Sequence, residues 1–552
     1  MLLSISIIES CTKLEEQILD ETTSSNLNAK QAADGIIAPV YARLPDLYSH
    51  TVLFAIQEIS TDEAILPYRG GTDWGDNGIY ISLHQHTSQS TDPNLRNAWL
   101  LIQQGMSRAI TAMNTLPNNT DPSAKTYLAE ARGMRAYYNM LNLDLFGIVF
   151  VKEDVGETSK IIRGEEAFQY VKNELLAVEP NLDNTNTNPG RLTKSAVWGL
   201  LARLYMNAAV YRDIYADKAN FKTEDMDKAI EYCDKLINSG QFQLAKDYFS
   251  IFGSDNHSNK ELIFAVDQRA ELNGHNRLAY FSLSGDQFPL TEFPAANGTD
   301  GPAITPDFYQ TWAKEYAPKD PAGTDPRFYK QNMGIYTNPS DSCVAAKDHN
   351  INRGILRGQQ FGLIRKNGVF LRCKDGNFKV GRLFNEIRNR PTLPVNFTEQ
   401  VDFTTAGSDY STGYRVGKYE FSKKSASGRN LGEADIIILR LADIYLMRAE
   451  AKMRKSNDVS SALSDVNLVR ASRTNPAPAL KEMSLDILFK ERGFEFYWEH
   501  QRRTDMIRFG KYEGIWTEKN NTDKFKRIFP IPQTAIDGAS NLPGYLKQNS
   551  SY

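Results

Sequence analysis

The sequence predicts a mainly α fold, in which pairs of amphipathic helices stack into a repeat scaffold with a loop-rich lobe inserted between its two halves. Three observations predict it. Apolar residues recur at three- and four-residue steps in both the N-terminal and the C-terminal parts of the 552-residue chain. Short polar interruptions separate successive periodic runs, as in helical hairpins. Between about residues 270 and 433 the periodicity fails, and Gly, Pro, Asn and Asp become frequent.

The elements follow in order. Asn97–Leu116 is periodic, and Ala124–Phe146 carries Tyr127, Leu128, Ala131, Met134, Tyr138, Leu141 and Leu145 on one side. A loop-rich stretch from about Thr61 to Asp92 precedes them. Glu166–Val178 adds a further helix. Ala196–Ala209 presents Val197, Leu200, Leu201, Leu204 and Tyr205, and a second stripe follows with Met226, Ala229, Ile230, Cys233, Leu236 and Ile237. Trp99 and Trp198 lie on these helices and are assigned to the core. In the C-terminal part, Ile438, Leu441, Ala442, Tyr445, Leu446, Ala449 and Met453 form one stripe. Ser456-Asn457 interrupts it before Ala462, Leu463, Val466, Leu468 and Val469. Such a pair resembles a tetratricopeptide-like unit, which buries its second face by stacking on neighbours. In the middle, Leu363–Arg365 and Val369–Cys373 read as strands. The expected organisation is a tether over residues 1–28, scaffold over 29–269, the loop-rich lobe over 270–433, and completing helices and tail over 434–552.

Composition excludes several function classes. The net charge is −3 and the basic residues are scattered, which argues against nucleic-acid binding. No run approaches the roughly 20 apolar residues of a membrane-spanning helix. None of the four cysteines forms a CxxC pair. Cys233 falls on a helix stripe. Cys343 and Cys373 flank a loop-rich stretch, where a disulfide and two free thiols both remain open. No GxSxG, HExxH, GxGxxG or P-loop sequence occurs, and no cofactor is implied. His84 and His86, two apart, share one side of a predicted strand, but no further metal ligands accompany them.

Glu491, Glu495 and Glu499 recur at four-residue steps and so share one predicted helix face, with Arg492 beside it and Arg502, Asp505 and Arg508 following. Three carboxylates on one face invite an acid/base reading. Alternating charges at these spacings instead predict a mutually paired ion network, since no nucleophile or metal ligand joins them.

The order of several blocks carries a resemblance. Ile438-Leu439-Arg440-Leu441-Ala442-Asp443 opens a run that continues through Glu491-Arg492, Glu499-His500-Gln501-Arg502-Arg503-Thr504-Asp505 and Phe529-Pro530-Ile531-Pro532. Gly190-Arg191-Leu192-Thr193-Lys194, Asp325-Pro326-Arg327 and the Gly413-Tyr414 to Lys418 stretch precede it. Together these blocks resemble the SusD/RagB-like family of nutrient-binding lipoproteins. His500 stands where that family usually has glycine, and Asn549-Ser550-Ser551-Tyr552 where it has Asn-Pro-Gly-Tyr, so these two turns are the places where local geometry is expected to differ.

The resemblance implies a non-enzymatic, surface-exposed protein lipid-anchored in the outer membrane. It would bind an oligosaccharide and act as a lid on a SusC-like TonB-dependent transporter; a peptide is the alternative cargo, as in the RagB branch. Leu2, Leu3, Ile5, Ile7 and Ile8 lead to Ser10-Cys11, like the end of a lipoprotein signal, with Cys11 as the acylated residue and Glu15-Glu16 after it like an export signal. The alternative for Cys11 is an inert thiol on a buried N-terminal strand.

A sugar needs aromatic planes ringed by short polar groups. Pro67 to Tyr80 supplies that mixture: Trp74 among glycines, with Arg69, Asp73, Asp76, Asn77 and Tyr80 as hydroxyl partners. The competing reading is that Trp74 plugs the loop onto the scaffold. Trp312 is a second candidate, although Tyr309, Trp312 and Tyr316 follow a helical stripe that reads as core. Two rivals from other classes remain. A helical glycoside hydrolase would need two carboxylates across a cleft, for which Asp73 and Asp76 are the loop pair. A cytoplasmic helical-repeat adaptor would carry no lipid at Cys11.

Overall fold

The computed structural model describes residues 27–69, 78–185, 188–272, 276–288, 298–334, 342–404, 408–422 and 433–552. Cys11 therefore lies outside the described residues, as do Asp73, Trp74, Asp76 and Asn77.

The fold is mainly α, as expected. Pro93–Thr115 begins where the Asp92 carboxylate accepts hydrogen bonds from the Asn94 and Leu95 amides, and Pro93 fills the first turn. It packs against Ser123–Phe146. Gly105 makes that contact close: a Cβ there would meet the Tyr138 ring at 2.3 Å. Lys194–Met206, capped by the Thr193 hydroxyl, packs against Thr223–Asn238. Leu441–Ser456 lies on Thr223–Asn238 in turn and pairs with Val459–Ala471 through a turn in which Asn457 takes φ +54°. N-terminal and C-terminal helices thus form one continuous stack. No helix among the described residues is long and apolar enough to cross a membrane.

One element departs from the expected stripe. Ile438 belongs to a strand, Ile436–Arg440, which pairs antiparallel with Leu262–Val266. Both strands are wholly buried, so every position is apolar or paired and no alternation marks them. These strands flank the middle segment in sequence and bind its two ends together. Gly199 admits the Ile436–Arg440 strand against the Lys194–Met206 helix, where a Cβ would lie 2.8 Å from Leu439.

The middle segment carries short antiparallel ladders. Arg353–Leu356 runs between Tyr329–Lys330 and Arg415–Gly417, and Phe378–Arg382 between Phe361–Leu363 and Cys343–Val344. The predicted strand at Val369–Cys373 forms only over Val369–Phe370. Met333, Leu363, Phe378 and Val380 make a small core of its own. Cys343 and Cys373 are joined by a disulfide, which decides between the two open readings. Cys233 is buried and free.

Candidate ligand-binding face

The predicted charged cluster is a buried ion network, and only part of it is helical. The helix ends at Phe496; Trp498 and His500 take φ +64° and +61°, so Glu499 sits in a turn and not on the Glu491–Glu495 face. His500 therefore adopts the left-handed conformation that favours glycine. Ser551 does the same at φ +67°, at the second turn where the resemblance led us to expect a different geometry. Burial pulls the His500 imidazole down to about 3, so it stays neutral against the Tyr48 and Phe54 rings.

Arg440 is the hub. It contacts Glu261 at 2.8 Å, Glu495 at 2.7 Å and Glu499 at 2.8 Å. Arg473 joins Glu261 and Glu495, each at 2.8 Å. Arg327 bridges Asp325, Glu491 and Glu495; Arg470 meets Glu491, and Lys418 meets Glu499. Five cations thus face five carboxylates drawn from the N-terminal scaffold, the middle lobe and the C-terminal helices. A second cluster joins Arg492 to Asp443 and Asp505, and Arg508 to Glu450 and Asp505. Burial would raise the Glu450 carboxyl, but Arg508 and Arg454 bring it down to about 2. These carboxylates are engaged in ion pairs within the fold.

Two other buried carboxyls hold the same turn. Glu58, in the π-helical turn Ala55–Ile59, accepts from the Gln501 amide at 3.0 Å, and Glu63 accepts from the Trp498 amide at 2.7 Å. Burial raises Glu63 from 4.5 to about 7, opposed by Arg502 and Lys418, with Asp62 adding to the rise; burial and the Glu63 charge raise Glu58 well above its ordinary value. The folded value of Glu63 exceeds the unfolded one. Its contribution is thus complete below about pH 4.5 and is lost as pH rises through about 7. Between pH 5 and 8 wild type should lose more stability than Glu63→Gln, in which only Glu58 remains to ionise, as measured by chemical denaturation. Parallel losses in both proteins would contradict this assignment.

Three predicted ligand contacts are corrected. Arg69 is fully buried. Its guanidinium donates to the carbonyls of Gly301 at 3.1 Å, Asp409 at 3.1 Å and Thr412 at 2.6 Å, tying the chain at this position to two other segments. Burial and the nearby Arg415 hold its pKa well below the usual guanidinium range. Tyr80 is 2% exposed, on the Ile79–His84 helix. Trp312 is fully buried and stacks on Phe494 with centroids 3.9 Å apart. Glycine and polar neighbours made Arg69 and Tyr80 read as exposed, but backbone carbonyls and helix packing claim them. His84 and His86 likewise sit at a helix end, buried: His84 Nδ1 lies 2.9 Å from Ile59 O, and His86 stacks on Tyr512. His257, Asp267 and Asp435 also cluster, but Arg269 neutralises Asp267, and the Gln268 amide donates to Asp435.

Beside the loop base the surface offers rings and polar groups. Tyr68 is half-buried, and its carbonyl accepts from the Ser408 amide. Arg388 and Arg390 lie over the Tyr410 ring at 5.2 and 5.0 Å, and Arg390 and Asp409 are nearly half exposed. Half-buried Tyr309 and Tyr414 meet edge to face at 4.7 Å. Arg357 donates to the Tyr309 hydroxyl at 3.1 Å and pairs with Asp320, while Gln310 donates to Glu399. Stacking rings flanked by amides, carboxylates and guanidinia can bind a polyhydroxylated ligand. Tyr309 was hidden in the sequence by the helical stripe it shares with Trp312. Tyr414 stood in plain view between Gly413 and Lys418 but reads there only as a motif.

The SusD family profile matches residues 250–552. The starch-binding protein SusD of Bacteroides thetaiotaomicron is 27% identical over 523 residues, covering 90% of this chain and 85% of that protein. Among solved structures, a SusD superfamily protein from Parabacteroides distasonis aligns with a TM-score of 0.66 at 18% identity, covering 95% of this chain and all of that one. Surface glycan-binding protein A from Bacteroides thetaiotaomicron, in complex with laminarihexaose, gives 0.64 at 19% identity, covering 94% of this chain and 99% of that one. The structural likenesses share the fold. The matched span contains Asp325-Pro326-Arg327, Lys418, Arg440, Glu495 and Glu499, the residues that build the buried network, and the chain belongs to the SusD family.

Proposed function

We propose that the protein captures an oligosaccharide at the cell surface without transforming it and delivers it to a SusC-like TonB-dependent transporter, over which it acts as a lid. The reading is carried by the 27% identity to a starch-binding protein across 85% of that protein's length. The surface around Tyr309 and Tyr414 supports it with half-buried tyrosines and paired polar groups. Cys11 is the proposed lipid attachment site, and the residues up to about 28 are its tether. The Cys343–Cys373 disulfide supports an oxidising, exported location. The scaffold halves, 29–269 and 434–552, hold the 270–433 lobe, and Trp74 with Asp73, Asp76 and Asn77 forms the proposed contact surface. Import energy comes from the TonB system, so capture needs only moderate affinity.

Trp74→Ala should weaken glycan binding by about tenfold or more, as loss of one stacking plane from a small site does, with an unchanged denaturation midpoint. Calorimetry with a glycan found on an array of oligosaccharides and peptides checks this; unchanged affinity removes Trp74 from the site. Binding confined to peptides would replace the glycan by peptide cargo. Reducing ends released from a polysaccharide, and abolished by Asp76→Asn, would make the protein a hydrolase.

A further inference from the structure

A cleft of 670 Å³ opens where the N-terminal scaffold, the middle lobe and the C-terminal helices meet. It shares no lining residue with the Tyr68, Tyr309 and Tyr414 surface. Its size is within the roughly 300–1,000 Å³ of small-ligand sites. Its mouth carries Asp247 and Lys330, paired at 2.7 Å with side chains 50% and 44% exposed. Half-buried Tyr329, Thr324 and Asn475 also line it, with the Thr324 hydroxyl donating to the Asp320 carbonyl at 2.9 Å. Carboxylate, ammonium, hydroxyl and amide around a tyrosine ring are the donors, acceptors and plane that a pyranose ring requires.

The walls are held from beneath by the buried network. Arg473 donates to the Ala245 carbonyl at 2.6 Å, and the Tyr248 hydroxyl to the Glu495 carbonyl at 2.6 Å. The Thr474 amide donates to the Lys246 carbonyl at 2.7 Å, and Arg327 clamps Asp325. Three distant stretches of chain are thereby fixed around one opening, which lowers the ordering cost of binding. A contact path also links the cleft to the loop base. Asp320, next to the cleft wall, pairs with Arg357, which meets Tyr309, which meets Tyr414. Gly413, adjacent to Tyr414, lies against the Arg69 guanidinium.

We infer that this cleft is a second carbohydrate subsite, taking another pyranose residue of the same glycan chain. The inference rests on the proposed glycan-binding function. Two subsites on one ligand raise the affinity for long chains without any new contact at the first.

The test is Asp247→Ala combined with Lys330→Ala in the intact chain. The exposed ion pair itself contributes little to stability, but the Asp247 carboxylate also accepts from the Phe249 amide at 3.0 Å; Lys330→Ala alone is therefore titrated beside the double variant, and an unchanged denaturation midpoint verifies each fold. Wild type and variant are titrated with the oligosaccharides and parent polysaccharides that wild type retains on a glycan array. Laminarihexaose, xylogluco-oligosaccharide and starch are included. The expected result is an affinity for the polysaccharide lower by about tenfold, with sugar density in the cleft of wild-type crystals soaked in the same glycan. Wild-type affinity of the variant for every retained glycan, with an empty cleft after soaking, overturns the subsite and leaves the proposed function standing. If wild type retains no glycan on the array, the function it rests on falls, and the subsite with it.

Discussion

Replacing Arg440 by methionine is expected to cost about 3–5 kcal/mol of stability. The substitution keeps much of the side-chain volume but leaves Glu261, Glu495 and Glu499 buried with one cation fewer. Arg473 and Lys418 remain, yet neither reaches all three carboxylates. The backbone carbonyl of Glu495 also loses one of its donors and keeps the Tyr248 hydroxyl. An uncompensated buried carboxylate must be desolvated or protonated, and both are unfavourable at neutral pH. The network joins all three parts of the chain, so its loss should lower the single denaturation midpoint and not release one part alone. Chemical denaturation with two probes, far-ultraviolet circular dichroism and tryptophan fluorescence, measures it. A midpoint equal to wild type would mean that the network is dispensable.

Trp312→Ala should cost about 3–5 kcal/mol, the usual range for removing a large buried ring. Trp312 stacks on Phe494 and meets Phe328 edge-on at 5.2 Å, with Tyr316 alongside. Its ring fastens the Pro306–Tyr316 helix to Leu485–Phe496, so a cavity there weakens the seam between middle lobe and C-terminal helices. Under conditions where the variant stays folded, its glycan affinity should match wild type within error. Trp74→Ala is expected to behave in the opposite way, with lost binding and kept stability. A Trp312→Ala protein that is fully stable but binds poorly would return Trp312 to the ligand site.

The helices were legible because each buries one stripe. Tyr138, Leu145, Leu200, Leu204, Ala229 and Cys233 are all buried, and their spacing said so in advance. The Ile436–Arg440 strand was not legible, because a wholly buried strand shows no alternation and runs directly into the apolar stripe of the next helix. Charge pairing was legible from alternating signs, but the position of Glu499 was not. Its four-residue step from Glu495 is helical in the sequence and interrupted in space by the helix end at Phe496 and left-handed Trp498. A histidine at φ +61° leaves no sign in the spacing; only its place in a family pattern marks it. Arg69 shows the limit for the site. Whether an arginine meets solvent or backbone carbonyls depends on segments more than 200 residues away, such as Gly301 and Thr412.

On the proposed function, a scaffold locked by buried ion pairs holds a glycan and releases it unchanged. The most direct measurement is equilibrium binding of an array-identified oligosaccharide to the intact chain, followed by chromatography of the recovered sugar. Saturable binding and quantitative recovery at the original length are expected. Shortened products, or no saturable binding to any oligosaccharide, would contradict it.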